Sequence, residues 1–172
     1  MTVCECGTEL VPSTGKGRPP TFCSNACKQR AYRARKSNPI PALMTERHSW
    51  TRHITKRPVT PGGSPASSTD ASTWSSFTDV QSGAGNGFGI MLGSGLGCYD
   101  FDHCLDGDAL SPRIERAVSA IPERVVWVER SLSGDGLHIF VEAPEQKGYR
   151  RNGIEFYSRE RFIAVTADRF NL

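Results

Sequence analysis

The chain has 172 residues and no run of about 18 apolar ones, the length a membrane-spanning helix needs. No membrane role is expected. Its N-terminus lacks the basic-then-apolar pattern of a secretory leader, so a cytoplasmic setting in a bacterial or phage-infected cell is the expectation. Thiols there stay reduced, which makes metal binding a better use than disulfides for the six cysteines. The glycine-rich stretch from Gly83 to Gly97 is followed by no Lys-Ser/Thr pair and opens no long helix. That excludes a nucleotide-binding P-loop.

What is present is unevenly distributed. The formal net charge is only +3, yet the segment from Lys28 to Arg57 is dense in Lys and Arg and holds a single acid, Glu46. Such a stripe points to a polyanionic partner. Cys4, Cys6, Cys23 and Cys27 fall in a small module over residues 1–36. Cys23 and Cys27 stand at the start of a basic helix expected from Asn25 to Lys36, with Ser24 or Asn25 as its cap. Four thiolates at these places close a tetrahedral zinc site, without which so small a core would not hold together. Residues 37–43, with Ser37-Asn-Pro-Ile-Pro41, read as a linker, and residues 44–172 as the main domain.

In the main domain the pattern predicts a strand from Ser49 to Ile54 and a Pro-, Ser- and Gly-rich tract from Pro61 to Asp70 that passes for a disordered linker. A short helix capped by Ser72 is expected to carry Trp74, Phe77 and Val80. A hairpin is expected from Phe88–Leu92 to Leu96–Asp102 around Gly93-Ser94-Gly95. Then come an amphipathic helix from Leu110 to Ile121, strands over Val125–Glu129 and Leu137–Glu142, a basic loop with Lys147, Arg150 and Arg151, and a second hairpin from Gly153–Ser158 to Arg161–Thr166. The sum is an α+β domain built on an antiparallel sheet.

The chemistry concentrates in three polar intrusions into apolar strands. In Leu96-Gly-Cys-Tyr-Asp-Phe-Asp-His103, Asp100 and Asp102 share one strand face about 6–7 Å apart. Two carboxylates so placed repel unless a divalent cation bridges them or water screens them. The second intrusion is His138, just after the turn Ser133-Gly-Asp-Gly136. The third is Glu155, the one carboxylate of Ile154-Glu-Phe-Tyr157.

These motifs, in order, resemble those of the archaeo-eukaryotic primase superfamily, and in particular its bifunctional primase-polymerase (prim-pol) domains of phage and plasmid type. The residues that carry the likeness are Lys56-Arg57-Pro58, Pro65 to Asp70 with Trp74, Gly89 to Leu92, Cys98 to His103, Val128 to Ile139, Ile154 to Ser158 and Arg161 to Thr166. The cysteine module resembles the zinc-knuckle class. The resemblance implies an RRM-like antiparallel sheet flanked by helices. It implies Mg²⁺ or Mn²⁺ on Asp100, Asp102 and Glu155, and nucleotide phosphates held by His138, Ser133 and Gly134. Lys56 and Arg161 are further candidates for phosphate contact. It implies DNA primase/polymerase activity by two-metal nucleotidyl transfer on a single-stranded DNA template, from nucleoside triphosphates, in company with a replicative helicase.

Two other readings stand beside this one. A weak or inactive relative would bind nucleotide or nucleic acid without turnover. A metal-dependent nuclease would use the same acids, but gains nothing from the Ser-Gly-Asp-Gly-x-His turn. Retention of all three acids and the histidine favours the polymerase.

Overall fold

The computed structural model describes residues 3–4, 6–10, 20–37, 40–151 and 153–172. The chain divides into two compact units, Met1–Pro39 and Ile40–Leu172. In the first, helix α1 (Asn25–Ser37) follows the cysteine turns. Ser24 caps it by accepting the Cys27 N–H at 3.2 Å, which satisfies one of the first-turn donors that a helix cannot pair internally. Most of the Gly/Pro loop expected between the cysteine pairs lies outside the described residues. Within the segment read as a linker, Ile40 is buried in the second unit's core and Leu43 packs against it.

The second unit opens with α2 (Ala42–Thr45). Strands β1 (Trp50–Ile54), β2 (Arg57–Val59), β3 (Gly87–Met91) and β11 (Phe162–Val165) form an antiparallel sheet in the order β11-β3-β1-β2. Strands β4 (Leu96–Phe101), β7 (Arg124–Arg130), β8 (Leu137–Glu142), β9 (Tyr149–Arg151) and β10 (Ile154–Tyr157) form a second antiparallel sheet, β7-β8-β4-β10-β9. A two-stranded ribbon of β5 (Leu105–Asp106) and β6 (Ala109–Leu110) leads into α3 (Pro112–Ser119), which Ser111 caps. The fold is α+β and antiparallel, as expected, but its strands divide between two sheets.

Alternation along the five-stranded sheet explains the layering. Leu96, Cys98, Trp127 and Phe140 face one way and share a core with Trp50, Ile90 and Ile163 of the four-stranded sheet. Tyr99, Phe101, Leu137, Ile139 and Phe156 face the other way, where Ile114, Ala117, Val118 and Ile121 of the α3 region pack on them. Both faces are therefore apolar, and the central sheet is covered on both sides.

The two expected hairpins are crossings between sheets. The Gly93-Ser94-Gly95 turn forms, with a Gly93–Leu96 bridge. Arg47 donates to the Gly93 and Ser94 carbonyls at 3.1 Å each, and Glu145 accepts the Ser94 N–H at 2.7 Å. Beyond the turn the strands part: β3 pairs with β1 and β11, whereas β4 pairs with β8 and β10. β10 and β11 diverge in the same way. The true hairpin partner of β10 is β9, built from what reads in sequence as a basic loop.

The helix expected after Ser72 is replaced by two 3-10 turns, Ala71–Thr73 and Asp79–Gln81. Asp70, not Ser72, is the cap; it accepts the Ser72 N–H at 3.0 Å and the Ser72 hydroxyl at 2.7 Å. Ser76 and Asp79 bond each other similarly. These short polar side chains offer the backbone alternatives to helical pairing. The tract from Pro61 to Asp70 is an ordered run of turns, tied by Ala66 N–H to the Pro58 carbonyl at 3.1 Å and by the Trp74 indole to the Ser67 carbonyl at 2.7 Å.

The glycine-rich segment is held from beneath by one side chain. The Arg52 guanidinium donates to the carbonyls of Val80, Ala84 and Gly85 at 2.8–3.1 Å. Gly85 has φ +84° and lies where a Cβ would collide with the His53 carbonyl, so only glycine fits.

Phe140 is fully buried between the sheets. Phe140→Ala is expected to lower unfolding free energy by about 3–5 kcal/mol, measured by denaturant titration. A loss under about 1 kcal/mol would mean that the core between the sheets is not packed as described.

Candidate active site in the cleft between the sheets

Sheet register assembles the site. Asp100, on the central strand β4, lies directly opposite His138 on β8 and Glu155 on β10. Residues directly opposite in an antiparallel pair share a face with Cβ atoms about 4.5–5.5 Å apart. Three of the sequence-predicted residues therefore meet in one row across three strands. The row continues outward to Glu129, opposite His138 on β7, and to Arg150, opposite Glu155 on β9. Read across the sheet it is Glu129, His138, Asp100, Glu155, Arg150.

Distances along the row vary. His138 Nδ1 lies 3.2 Å from Glu129 Oε1, and His138 Nε2 lies 3.8 Å from Asp100 Oδ1. Arg150 Nε is 3.2 Å from Glu155 Oε1. Tyr157 donates its hydroxyl to Glu155 Oε2 at 2.7 Å, and the Arg161 guanidinium stacks 4.3 Å over the Tyr157 ring while staying 3.9 Å from Glu155. Accepting that hydrogen bond, Glu155 holds the Tyr157 phenol in its protonated form and raises its pKa.

Asp100 is the strained member. Burial pushes its pKa up; His138 opposes this, while Asp102 and Glu155 add to it. Its Oδ1 is buried without a hydrogen-bond partner. A carboxylate oxygen so desolvated and facing a second acid suits a hard cation, which supplies the missing charge and ligation. Asp102 lies one residue beyond the end of β4, exposed in a turn.

The row borders a cavity of about 510 Å³. Its other walls are Lys56 and Pro58, the ordered tract at Ala66 and Ser68, and Glu160 to Ala164. Lys56 reaches it from a two-residue turn between β1 and β2, where Thr55 and Lys56 have φ of 46° and 67°. Both values are those of a type I′ turn. Pro58, without an N–H, is tolerated because β2 is an edge strand. Asp100, His138, Lys56 and Arg161 thus share one cavity, and Glu155 joins them through Arg161. Asp102, Ser133 and Gly134 do not line it. The Ser133 turn is closed on itself: the Gly134 N–H donates to the Ser131 carbonyl at 3.0 Å, and the Ser133 hydroxyl bonds Ser131 and Asp135. Leu132 of that turn faces the cavity.

Sequence reasoning passed over Glu129 and treated Arg150 as loop charge. The signal for Glu129 was the same one that revealed Glu155: an acid on an otherwise apolar strand, Arg124-Val-Val-Trp-Val-Glu-Arg130.

The N-terminal unit holds a second constellation. The Sγ atoms of Cys4, Cys6, Cys23 and Cys27 all lie within 4.8 Å of one another, with Cys6–Cys23 at 3.4 Å and Cys23–Cys27 at 3.5 Å. Tetrahedral thiolates around zinc at about 2.3 Å would stand about 3.8 Å apart, so the donor set fits that ion. Crowding splits their acidities. Hydrogen bonding by Thr8 draws Cys6 down to about 6, and bonding to Cys6 and Cys27 pushes Cys23 up to about 11. Among the described residues this is the one group of three or more such donors that converges so tightly.

An antiparallel α+β domain with acids, a histidine and two cations around an open cleft defines a class of protein suited to anionic, phosphate-bearing ligands. The chain matches the family of bifunctional DNA primase/polymerase, N-terminal, over residues 7–168, and it belongs to that family. The match extends the likeness seen in the main domain back across α1. No curated protein matches the chain. Family membership supports nucleotidyl transfer of the primase/polymerase type, with DNA and nucleotides as substrates. Among the described residues no helix is long and apolar enough to cross a membrane.

The raised pKa of Asp100 gives a pH test. Where the folded pKa exceeds the unfolded one, the folded state binds more protons, and stability falls as pH rises through that interval. Asp100→Asn should therefore raise the melting temperature at pH 7. The gain should shrink as pH is lowered toward the ordinary value of 3.8. Melting curves at a series of pH values check this, and a pH-independent or negative change would contradict it.

Proposed function

We propose that this chain is a DNA primase/polymerase that extends a strand on a single-stranded DNA template from nucleoside triphosphates, in phage or plasmid replication alongside a helicase. The observation that supports this reading is the register that sets Asp100 between His138 and Glu155, with Asp100 and His138 on the wall of a cleft rimmed by Lys56 and Arg161. Asp100 and Glu155, with Asp102 at the strand end, are the ligands for Mg²⁺ or Mn²⁺. Ions held there would supply an activated 3′-hydroxyl and charge neutralisation for the pyrophosphate leaving group.

The remaining roles belong to the chain's own residues. His138 presents Nε2 toward the cleft and the triphosphate. Lys56 and Arg161 balance phosphate charge from the opposite wall. The Ser133–Gly134 turn sets the entry of β8 and presents Leu132 to the cavity. The four cysteines hold structural zinc, and the basic helix α1 adds a sequence-independent grip on template phosphates.

A second reading has its own support. Glu155 is already engaged by Arg150, Arg161 and Tyr157, and the three acids do not converge as the four thiols do. A nucleotide- or DNA-binding accessory without turnover would look the same. Primer extension on single-stranded DNA with Mg²⁺ or Mn²⁺ separates the two. The wild type should incorporate nucleotides and release pyrophosphate, tested with and without a primer, and Asp100→Ala or Asp102→Ala should reduce both to background. Nucleotide binding with no pyrophosphate release under either metal would leave only the accessory reading.

For the N-terminal unit, elemental analysis of protein purified without chelator should find about one zinc per chain. Deleting residues 1–36 should weaken single-stranded DNA binding and flatten its salt dependence. Unchanged affinity and slope would assign the basic helix another task.

A further inference from the structure

We infer that Glu129 is the positioning residue of the cleft: it keeps a proton on Nδ1 of His138, with Nε2 aimed at the site, and ties that histidine to the segment that follows β11. The inference rests on the reading of His138 as a phosphate-facing residue.

Glu129 has no solvent exposure. An ionised carboxylate is costly to bury unless its lone pairs are fully used. Here they are. Oε1 accepts the Thr166 N–H at 3.1 Å and faces His138 Nδ1 at 3.2 Å. Oε2 accepts the Trp127 indole N–H at 3.0 Å and the Ala167 N–H at 3.0 Å. Three of these four partners can only donate. With Oε1 turned to it, His138 completes the set by donating from Nδ1. The other tautomer would set two acceptors against each other inside a dry site. Nε2 lies on the Asp100 side, so Nδ1 is the ring nitrogen that meets Glu129.

Four converging donors also explain why the residue is a glutamate and not its amide. In Glu129→Gln the NH₂ group would face the Trp127 and Ala167 N–H donors in one orientation, and the Thr166 N–H and His138 Nδ1 in the other. The carboxylate thus acts on His138 through both charge and geometry, while not itself lining the cavity. Thr166 and Ala167 belong to the link by which the chain returns from the four-stranded sheet toward β7, where Arg169 bridges Glu129. One side chain therefore fixes the histidine's ring orientation and anchors the segment after β11.

The test uses the full chain with ¹⁵N-labelled histidine. In the wild type, His138 should show a protonated Nδ1 whose proton exchanges slowly with water. A bare Nδ1 overturns the inference without reference to any variant or to turnover. In Glu129→Gln, whose amide oxygen is drawn to the Trp127 and Ala167 donors so that its NH₂ faces His138, the slow Nδ1 proton should be lost. The Michaelis constant for the nucleoside triphosphate should rise about 10–100-fold, with a smaller change in turnover number. A purely structural glutamate would lower the melting temperature and leave the Nδ1 signal and the Michaelis constant of the folded fraction unchanged. That result also overturns the inference. Should the wild type bind but not polymerise, the nucleotide dissociation constant measured with Mn²⁺ replaces the Michaelis constant. The imidazole signal then judges Glu129 while the polymerase reading fails on its own.

Discussion

Direct cross-strand opposition in the five-stranded sheet governs this molecule. A row of ionisable side chains runs the full width of the sheet, and neither the spacing nor the neighbours of its members can be chosen independently. Once Asp100 is placed on the central strand, whatever stands opposite on β8 and β10 is pressed against it. A cation-capable ring on one side and a second acid on the other leave the centre short of positive charge. Arg150, at one end of the row, supplies part of it. The remainder is an opening for an ion or for a cationic side chain that moves.

The same opposition links stability to chemistry. The inner part of the row lies on the face that packs against the four-stranded sheet, so Glu129 and Asp100 are desolvated by the same burial that holds Trp50, Cys98 and Phe140 together. Glu129 meets this with a full set of donors, whereas Asp100 is left with an unpaired oxygen. That contrast separates a carboxylate that organises its surroundings from one kept available for a ligand.

Much of this was legible in sequence. The strands bearing Asp100, His138 and Glu155, the α1 helix and the cysteine spacing followed from period-2 alternation, capping residues and thiol clustering. Strand partners did not. Gly93-Ser-Gly95 has the composition of a hairpin turn, and only tertiary pairing sends β3 and β4 into different sheets. Strands that are apolar on both faces carry little register information. Glu129 escaped notice because a buried acid and a solvent-facing acid look alike until the donors around them are known. The Ser72 region misled in the opposite direction: helical spacing of Trp74, Phe77 and Val80 was outcompeted by Asp70 and Asp79 bonding local N–H and hydroxyl groups.

The crossings between sheets bear on how the cleft can move. The chain passes from one sheet to the other through four residues at 92–95 and again at 158–161, and residues 166–170 return to β7 through the Glu129–Arg169 bridge and the Phe170 N–H bond to Val128. Among the described residues, the links between the sheets are short and hydrogen-bonded at several places, and the sheets share one apolar core. Swinging them apart would break those bonds and that core, which disfavours hinge closure. Adjustment falls to long side chains at the rim, and discrimination between ligands rests on a mouth of nearly constant width.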